Sequence, residues 1–272
     1  MLITSLVENT SSQGLPVEHG LSLYVRTQHE NLLFDMGQSS LFAANAERLG
    51  LSVAEVDLAV ISHGHYDHGG GLETFLRLNP KAPVYIHREA FAAHYSLRET
   101  GLHYIGLDTS LGQNERIIYC NETMQINDQM MLFANVTGGI CYPHGNRLLF
   151  GPDRRNKDTF DHEQNLLIIE GDKVVLFAGC AHSGIVNIIH KAKEMVGKTP
   201  THVLAGMHLV KSGLSQEEEK KMIATLAQEL LSMTDCQYYT MHCTGVEQYE
   251  QLKQLMSNRI SYLSCGETLT IE

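Results

Sequence analysis

Apolar and polar residues alternate along this chain in short blocks that predict an α/β protein. Near-continuous apolar runs at Val56 to Ile61 and at Val174 to Ala178 predict strands that are buried on both faces. Stretches with helical spacing also occur, and two of them open with capping boxes, at Ser215 to Glu218 and at Thr244 to Glu247. Strands and helices alternate in both halves without a linker, so we expect one layered α/β domain over residues 1–272.

The middle of the chain has a weaker pattern. We predict a helix from Arg88 to about Glu99. The polar segment of residues 142–164 is either a solvated surface loop or a lid whose clustered cations face an acidic substrate. Strands of a second sheet are predicted at Ile117 to Cys120, Met124 to Ile126 and Met131 to Val136.

Composition narrows the class of protein. The 272 residues are 43% hydrophobic and 19% charged, which suits a globular protein with a sizeable core. The formal net charge of −11 argues against a nucleic-acid partner, although bound cations would still allow an anionic small-molecule substrate. Without a long apolar stretch or a secretory signal, and with six scattered cysteines, we expect a cytoplasmic protein with reduced thiols and no membrane partner. The sequence does not indicate the oligomeric state.

Ligand-type side chains are concentrated directly after one of the apolar runs. Residues 61–71 read Ile-Ser-His-Gly-His-Tyr-Asp-His-Gly-Gly-Gly, which places His63, His65, Asp67 and His68 within six positions. Imidazole nitrogens and carboxylate oxygens suit zinc, iron or manganese. In an extended chain His63 and His65 project to one side, and the Asp-His pair can turn toward a second ion. Such close packing without a cation would leave charges and dipoles unsatisfied, so the segment predicts a metal site.

Three further predicted strands run into histidine or cysteine. Because the carboxyl ends of strands gather at one edge of an open α/β sheet, we expect these residues to join His63 and His65 in a single cluster. The residues concerned are Cys180, His182, His208, His242 and Cys243.

The roles of these strand-end residues differ. His182 and His242 are predicted metal ligands, and His208 is either a ligand or a contact to a ligand or to the substrate. Cys180 is either a soft ligand or an inert buried thiol. The remaining histidines lack this context and are expected to be ordinary surface or core residues, among them His19 and His94.

The segment Ser62 to His68 resembles the metal-binding motif of the metallo-β-lactamase superfamily, which is usually written His-x-His-x-Asp-His. Leu32 to Gly37 resembles the strand-Asp-x-Gly element that precedes this motif, and Val175 to Cys180 resembles the strand that carries the metal-bridging residue. His242 stands where the last ligand is expected. The resemblance covers nearly the whole chain. It implies a four-layer αββα sandwich, with two mixed β-sheets flanked by helices and the metals at one edge.

A narrower branch of that superfamily is also similar. Gly179 to Asn187, Gly206 to Leu209 and His242 to Gly245 resemble metal-dependent hydrolases of β-lactamase superfamily II, which are related to a dihydropterin phosphate synthase. This resemblance raises the alternative of a pterin-related phosphate synthase that carries out a methanopterin-type condensation. A third alternative is a sensor that binds a ligand through its metal without turning it over.

The chain departs from the superfamily pattern in two places. The usual His-x-x-Gly-His element before the bridging residue is replaced by the segment Phe160 to Asn165. His162, Asp161 or His182 would then supply the missing ligand, and Cys180 or His182 stands in place of the bridging carboxylate. The third ligand of the first ion is therefore left open, as is the occupancy of the second site.

The predicted activity is that of a hydrolase with two divalent cations, zinc or alternatively iron or manganese. A metal-activated hydroxide would attack an ester, lactone or phosphoester. Asp67 is expected to carry the proton if it does not bind metal, and His208 to orient the substrate or stabilise the oxyanion. Asp35 is expected to fix the tautomer of a ligand imidazole. The working arrangement assigns His63, His65 and His182 to one ion, and Asp67, His68 and His242 to the other.

Overall fold

The computed structural model describes residues 1–272 as two compact units, each with its own seven-stranded sheet. Unit 1 comprises Met1–Asn121, Phe150–Asn156 and Leu263–Glu272, and unit 2 comprises Glu122–Leu149 and Lys157–Tyr262. The expectation of a single domain stays a prediction. The strands are β1 (Leu2–Val7), β2 (Ser22–Arg26), β3 (Asn31–Phe34), β4 (Leu58–Ile61), β5 (Val84–His87), β6 (Tyr95–Arg98), β7 (Gly101–Tyr104), β8 (Ile117–Cys120), β9 (Thr123–Gln125), β10 (Met130–Ala134), β11 (Leu149–Phe150), β12 (Gln164–Glu170), β13 (Lys173–Ala178), β14 (His202–Ala205), β15 (Gln237–Thr240), β16 (Ile260–Tyr262) and β17 (Thr268–Thr270). The α-helices are α1 (Leu41–Arg48), α2 (Tyr66–Gly69), α3 (Leu72–Leu78), α4 (Ile185–Val196), α5 (Gln216–Ser232) and α6 (Val246–Met256).

The sheet of unit 1 is mixed, with the strand order β17-β1-β2-β3-β4-β5-β8. Strands β3, β4, β5 and β8 run parallel, and the others pair antiparallel. All four residues of β4 are buried, as its continuous apolar run predicts. The strand predicted at Ile117 to Cys120 is present but pairs with β5 in this sheet, so its assignment to the second sheet is wrong. An edge strand's own apolar pattern does not specify its partner.

Helices α1 and α3 cover part of this sheet. Phe42 of α1 and Phe75 of α3 are fully buried and belong to one hydrophobic cluster with Leu33 and Ile61 of the strands. Burial of such a side chain contributes about 1.5–3 kcal/mol. This packing holds the carboxyl ends of β3 and β4, where the candidate ligands of unit 1 begin.

The helix predicted from Arg88 to about Glu99 is not formed. Arg88–Phe91 makes a short 3₁₀ helix, and β6 then pairs antiparallel with β7. Tyr95 and Tyr104 stand opposite each other in this hairpin, with ring centroids 5.7 Å apart. Cross-strand aromatic pairs stabilise antiparallel sheets, and this tertiary contact overrides the local helix preference of the Ala-rich segment.

The sheet of unit 2 is also mixed, with the order β16-β15-β14-β13-β12-β10-β9. Strands β13 to β16 run parallel, while β13, β12, β10 and β9 pair antiparallel. The predictions of strands near residues 124–126 and 131–136 are confirmed as β9 and β10. Helices α4, α5 and α6 share a buried apolar cluster with this sheet. None of the helices in either unit is long and apolar enough to cross a membrane.

The two predicted capping boxes have different outcomes. Ser215 and Glu218 form the reciprocal capping box that opens α5. Thr244 does not cap α6, whose first residue follows Gly245. Its hydroxyl instead accepts the backbone N–H of Met207 at 2.9 Å, because His242–Thr244 forms a 3₁₀ turn beside the end of β14. Residues 142–164 include a 3₁₀ turn at His144–Leu148, and their action as a lid stays a prediction.

Candidate metal centre

The ligand-type cluster of unit 1 begins where two parallel strands end side by side. Asp35 follows β3 and Ser62 follows β4, and the backbone N–H of Asp35 donates to the Val60 carbonyl at 2.9 Å. Asp35 has a φ of 59°, a left-handed conformation that is uncommon for a residue other than glycine. Strain of this kind concentrates at functional sites, and here it turns the carboxylate toward the residues that follow β4.

Asp35 is fully buried and accepts hydrogen bonds from three donors. Its Oδ1 accepts the Ser62 N–H at 2.7 Å, and its Oδ2 accepts the Ser62 hydroxyl at 2.8 Å. The same Oδ2 lies 2.7 Å from His68 Nδ1. An ionised carboxylate is an acceptor only, so His68 Nδ1 carries the proton and His68 Nε2 keeps the lone pair that a metal requires. The expected role of Asp35 in fixing a tautomer is consistent with this geometry.

Through Ser62, Asp35 also fixes the tautomer of a second imidazole, that of His63. Its hydroxyl proton goes to Asp35, so Ser62 Oγ accepts from His63 Nδ1 at 2.9 Å. His63 Nε2 is then an acceptor, and it lies 3.0 Å from His65 Nδ1. Zn–N bonds are about 2.0–2.1 Å long, so two nitrogens at this separation can bond to one ion.

The three imidazoles pack against one another in the interior. The ring centroid of His63 lies 4.5 Å from that of His65 and 4.1 Å from that of His68. None of the three side chains has substantial exposure. Asp67 Oδ2 lies 3.9 Å from His68 Nε2, so a carboxylate oxygen stands close to the lone pair of His68. Unit 1 therefore brings all four predicted ligands of residues 63–68 together.

Two further histidines of unit 1, to which the sequence analysis assigns no role, lie at this cluster. His19 Nε2 is 3.1 Å from Asp67 Oδ2, and its side chain is 50% exposed. The buried ring of His94 lies 5.7 Å from that of His65. That both are ordinary surface or core histidines stays a prediction. Tertiary contacts bring them near the motif, and nothing in their own sequence context indicates it.

The candidate residues of unit 2 follow three parallel strands in matching register. Ala178, Ala205 and Thr240 are neighbours across β13, β14 and β15. Cys180, His208 and Cys243 therefore leave the sheet at one edge, as the strand-end argument predicts. Their sulfur and nitrogen atoms lie within 4.8 Å of one another. Left-handed backbone recurs here in Ala181, His208 and His242, with φ values of 53°, 45° and 51°.

His182 is held on several sides. Asn146 Nδ2 donates to the His182 carbonyl at 2.8 Å, which leaves Asn146 Oδ1 to accept from His182 Nδ1 at 2.9 Å. The proton is thus on Nδ1, and His182 Nε2 keeps a lone pair. The buried Glu163 carboxylate accepts the His182 N–H at 2.6 Å. Burial raises the pKa of Glu163, while hydrogen bonds from Ser183 and His182 oppose that change.

The rings around His182 extend the cluster of unit 2. Phe160 stacks on His182 with centroids 4.3 Å apart, and His208 lies 4.4 Å from it. His162 Nε2 is 3.4 Å from Asp158 Oδ2, and its ring centroid is 5.9 Å from that of Phe160. Asn146 and Glu163 were not assigned a role from the sequence. Asn146 lies in the polar segment whose pattern predicts no structure.

The thiols of unit 2 lie in an unusual environment. Cys243 Sγ is 3.8 Å from the Cys180 carbonyl oxygen and accepts the His208 backbone N–H at 3.3 Å. Burial is the largest single influence and raises the pKa of the Cys243 thiol, whereas hydrogen bonds with Cys180 and His208 lower it. The positive potential of His242 adds to this effect, and the pKa of Cys243 lies well below its ordinary value. A Cβ at Gly206 would lie 2.5 Å from this sulfur, so the position requires glycine.

The donor sets of both units fit a divalent cation. Unit 1 supplies imidazoles of fixed tautomer beside a carboxylate, and unit 2 supplies imidazoles beside thiols. Borderline metals such as zinc accept all three kinds of donor. The histidine and aspartate clusters of this chain could therefore hold metal ions.

Comparison with known proteins identifies the family of this chain. The family model described as the metallo-β-lactamase superfamily matches residues 15–194. The crystal structure of Tm1679, a metal-dependent hydrolase of the β-lactamase superfamily, is 31% identical with a TM-score of 0.82, and the match covers 100% of this chain and 99% of that one.

Two proteins of Methanocaldococcus jannaschii are similar in sequence over nearly their whole length. An uncharacterized protein is 28% identical, over 99% of this chain and 100% of its own length. The 7,8-dihydropterin-6-methyl-4-(β-D-ribofuranosyl)-aminobenzene-5′-phosphate synthase is 20% identical, over 98% of this chain and 95% of its own length. The predicted fold class, with two mixed sheets flanked by helices, is confirmed. The chain belongs to the metallo-β-lactamase superfamily.

Proposed function

We propose that this protein is a metal-dependent hydrolase that acts on an ester, lactone or phosphoester. The observation that carries the proposal is the buried imidazole cluster of unit 1, in which Asp35 and Ser62 fix the tautomers of His63 and His68. A relative that is 31% identical over the whole chain is named a metal-dependent hydrolase, which supports the same activity. Within the superfamily this activity is the one that the donor set fits best.

The proposed metal ligands belong to both units. In unit 1 they are His63, His65, Asp67 and His68. In unit 2 they are His182 and His242, with Cys180 and His162 as further candidates. We propose two divalent cations, with zinc as the first choice and iron or manganese as alternatives. That the two sets form one cluster stays a prediction.

When bound, the cations would supply Lewis acidity and lower the pKa of a bound water toward neutrality. Asp67, where it is not itself a ligand, accepts a proton at Oδ2. His19 Nε2 lies 3.1 Å from that oxygen and its side chain is half exposed, so it can pass the proton to solvent. His208 orients the substrate or stabilises negative charge that develops on it.

The test is an assay of full-length protein purified without chelator. Metal per chain is counted by elemental analysis, and turnover is measured on a phosphodiester, a thioester and a lactone. We expect at least one divalent ion per chain and turnover of one substrate class, both lost after dialysis against chelator and restored by zinc. Protein that binds no divalent ion, or that is equally active without it, would contradict the proposal.

A second candidate is a pterin-related phosphate synthase. The nearly full-length similarity to the dihydropterin phosphate synthase of Methanocaldococcus jannaschii favours it. Condensation of a pterin with a phosphoribosyl-aminobenzene by metal-loaded protein, without hydrolysis of the generic substrates, would select this candidate. Tight ligand binding without any turnover would instead indicate a sensor. A cytoplasmic location and the lack of nucleic-acid and membrane partners stay predictions.

A further inference from the structure

Unit 2 contains a cavity of about 750 Å³ to which the proposed function assigns no role. Its wall is formed by the polar segment after residue 138 and by the first turns of α5. Cavities of about 300–1,000 Å³ are typical of small-molecule sites. The size of this one is therefore sufficient for a ligand with one or two rings.

One part of the lining is apolar. Tyr142, Leu214 and Met222 contribute to the wall, and Tyr142 is 42% exposed. An aromatic ring that stays accessible inside a concave wall offers a stacking surface to a flat ligand. This part of the cavity favours an aromatic or other planar group.

Another part of the lining is cationic. Arg147 and Lys221 line the cavity, both are exposed, and neither forms an ion pair within the chain. Two carboxylates also line it, but each is already engaged. Asp158 lies 3.4 Å from His162, and Glu218 accepts from Ser215 in the capping box of α5. Lys157 also lines the cavity, so its wall holds three cations against these two carboxylates. In a chain with a net charge of −11, this local excess of positive charge favours an anionic ligand.

The cavity wall includes residues that touch the candidate metal ligands of unit 2. Asn146 lines the cavity and forms hydrogen bonds with His182. Asp158 lines it and pairs with His162. A ligand in the cavity would thus lie next to the side chains that position these two histidines.

We propose that this cavity binds the body of the substrate and that the substrate is an aromatic organic phosphate. Its ring contacts Tyr142 and Met222, and its phosphate is bound by Arg147 and Lys221. A guanidinium and an ammonium together match the charge and the several acceptor oxygens of a phosphate dianion. The substrate role rests on the proposed function, whereas the binding itself does not require a metal.

The experiment measures binding of phenyl phosphate to the chelator-treated full-length protein by isothermal titration calorimetry. Arg147→Gln and Lys221→Gln are each expected to raise the Kd about tenfold, since each removes one charge-assisted contact. Arg155→Gln and Lys220→Gln are the matched controls, because both residues are exposed cations outside the cavity lining, and they are expected to leave the Kd within twofold.

A protein variant and three ligand analogues test the ring contact and the phosphate contact separately. Tyr142→Ala is expected to weaken phenyl phosphate several-fold without changing the affinity for inorganic phosphate. Benzyl alcohol is expected to bind at least tenfold more weakly than phenyl phosphate. Benzoate that binds as tightly as phenyl phosphate would overturn the phosphate assignment. Absence of phenyl phosphate binding, or equal effects of the cavity and control variants, would overturn the cavity as the site.

A further variant distinguishes this proposal from the metal centre. His65→Ala is expected to lose metal while it binds phenyl phosphate as wild type does. Loss of metal dependence with intact phenyl phosphate binding would contradict the proposed function alone. Intact metal binding without phenyl phosphate binding would contradict the cavity proposal alone.

Discussion

The two units hold their candidate ligands in different ways. Unit 1 takes four from the short segment His63–His68, whereas unit 2 takes His182 and His242 from separate strand ends, beside the cluster of Cys180, His208 and Cys243. The supporting groups differ as well. A buried carboxylate, Asp35, orients imidazoles in unit 1, and a neutral amide, Asn146, orients one in unit 2.

This difference has a chemical consequence. A carboxylate that accepts the second N–H of an imidazole fixes its tautomer and also makes the other nitrogen more basic. An amide oxygen fixes the tautomer but adds no charge. We therefore expect unit 1 to dominate metal affinity and unit 2, with its thiols, to influence which metal is preferred.

The largest expected effect comes from the imidazole cluster of unit 1. His65→Ala should lower metal affinity more than 100-fold, which exceeds the 10–100-fold typical of changes to groups behind the ligands. Metal per chain after dialysis, together with turnover, measures this. His29→Ala is the matched control, because His29 is exposed in the same unit and lies outside the cluster. Retention of metal and activity in His65→Ala would remove unit 1 from the centre.

A direct comparison of the two supporting groups is next in size. In Asp35→Asn the amide NH₂ would replace the oxygen that accepts from both Ser62 Oγ–H and His68 Nδ1–H. Because an NH₂ group only donates, the His68 proton would move from Nδ1 to Nε2. We expect metal affinity to fall about 10–100-fold. Asn146→Ala should reduce it by less than about tenfold, because no charge is lost.

The readout for this pair is a metal titration at equilibrium, with thermal unfolding to show that each variant folds. Asp57→Asn is the control, since Asp57 also accepts a backbone N–H, from Asn31 at 3.0 Å, but lies outside the cluster. An Asn146→Ala effect as large as that of Asp35→Asn would mean that charge is not the difference between the two units.

The candidate site was predicted better from the sequence in unit 1 than in unit 2, because the ligands of unit 1 are adjacent in the chain. In unit 1 the ligands are neighbours in the chain, so His63 to His68 could be identified directly. In unit 2 the apolar runs and the gathering of strand ends placed Cys180, His208 and Cys243 at one edge. Asn146 could not be predicted because its segment has no periodicity. His19 and His94 could not be predicted because only tertiary contacts bring them to the motif.

The fold shows the same limit. Strands with strong apolar runs, such as β4 and β13, form as expected because burial on both faces dictates their pattern. The helix predicted for the segment Arg88 to Glu99 does not form because Tyr95 pairs with Tyr104 across a hairpin. Strand β8 was assigned to the wrong sheet because pairing depends on a partner distant in sequence.

A smaller effect would test the role assigned to the thiols. Cys243→Ser should lower the ratio of Cd²⁺ to Mn²⁺ affinity several-fold, because thiolate prefers soft metals. Cys236→Ser is the control, since Cys236 is buried in the same unit but lies outside the Cys180, His208 and Cys243 cluster. Competition titrations with the two metals measure the ratio. An unchanged ratio in Cys243→Ser would place the thiols outside the ligand set.

A further comparison concerns the stability of the metal-free protein at alkaline pH and uses the same two thiols. Burial raises the pKa of Cys236 to about 12, whereas a thiol in an unfolded chain has a pKa of about 8.5. Above that pH the folded chain binds the extra proton, so this residue's contribution to the free energy of unfolding falls as pH rises toward the folded pKa. At pH ~9.5 the loss is about 1.4 kcal/mol, and Cys236→Ser should remove it.

Cys243 should behave in the opposite way because its pKa in the folded chain is lowered. Its contribution to stability is complete above ~8.5 and is lost as pH falls through the folded value, so Cys243→Ser should leave the alkaline slope unchanged. Urea unfolding at several pH values measures both slopes. If Cys243→Ser also flattened the alkaline slope, its thiol would be protonated in the fold like that of Cys236. The imidazoles around Cys243 would then not set it apart from a buried thiol elsewhere in unit 2.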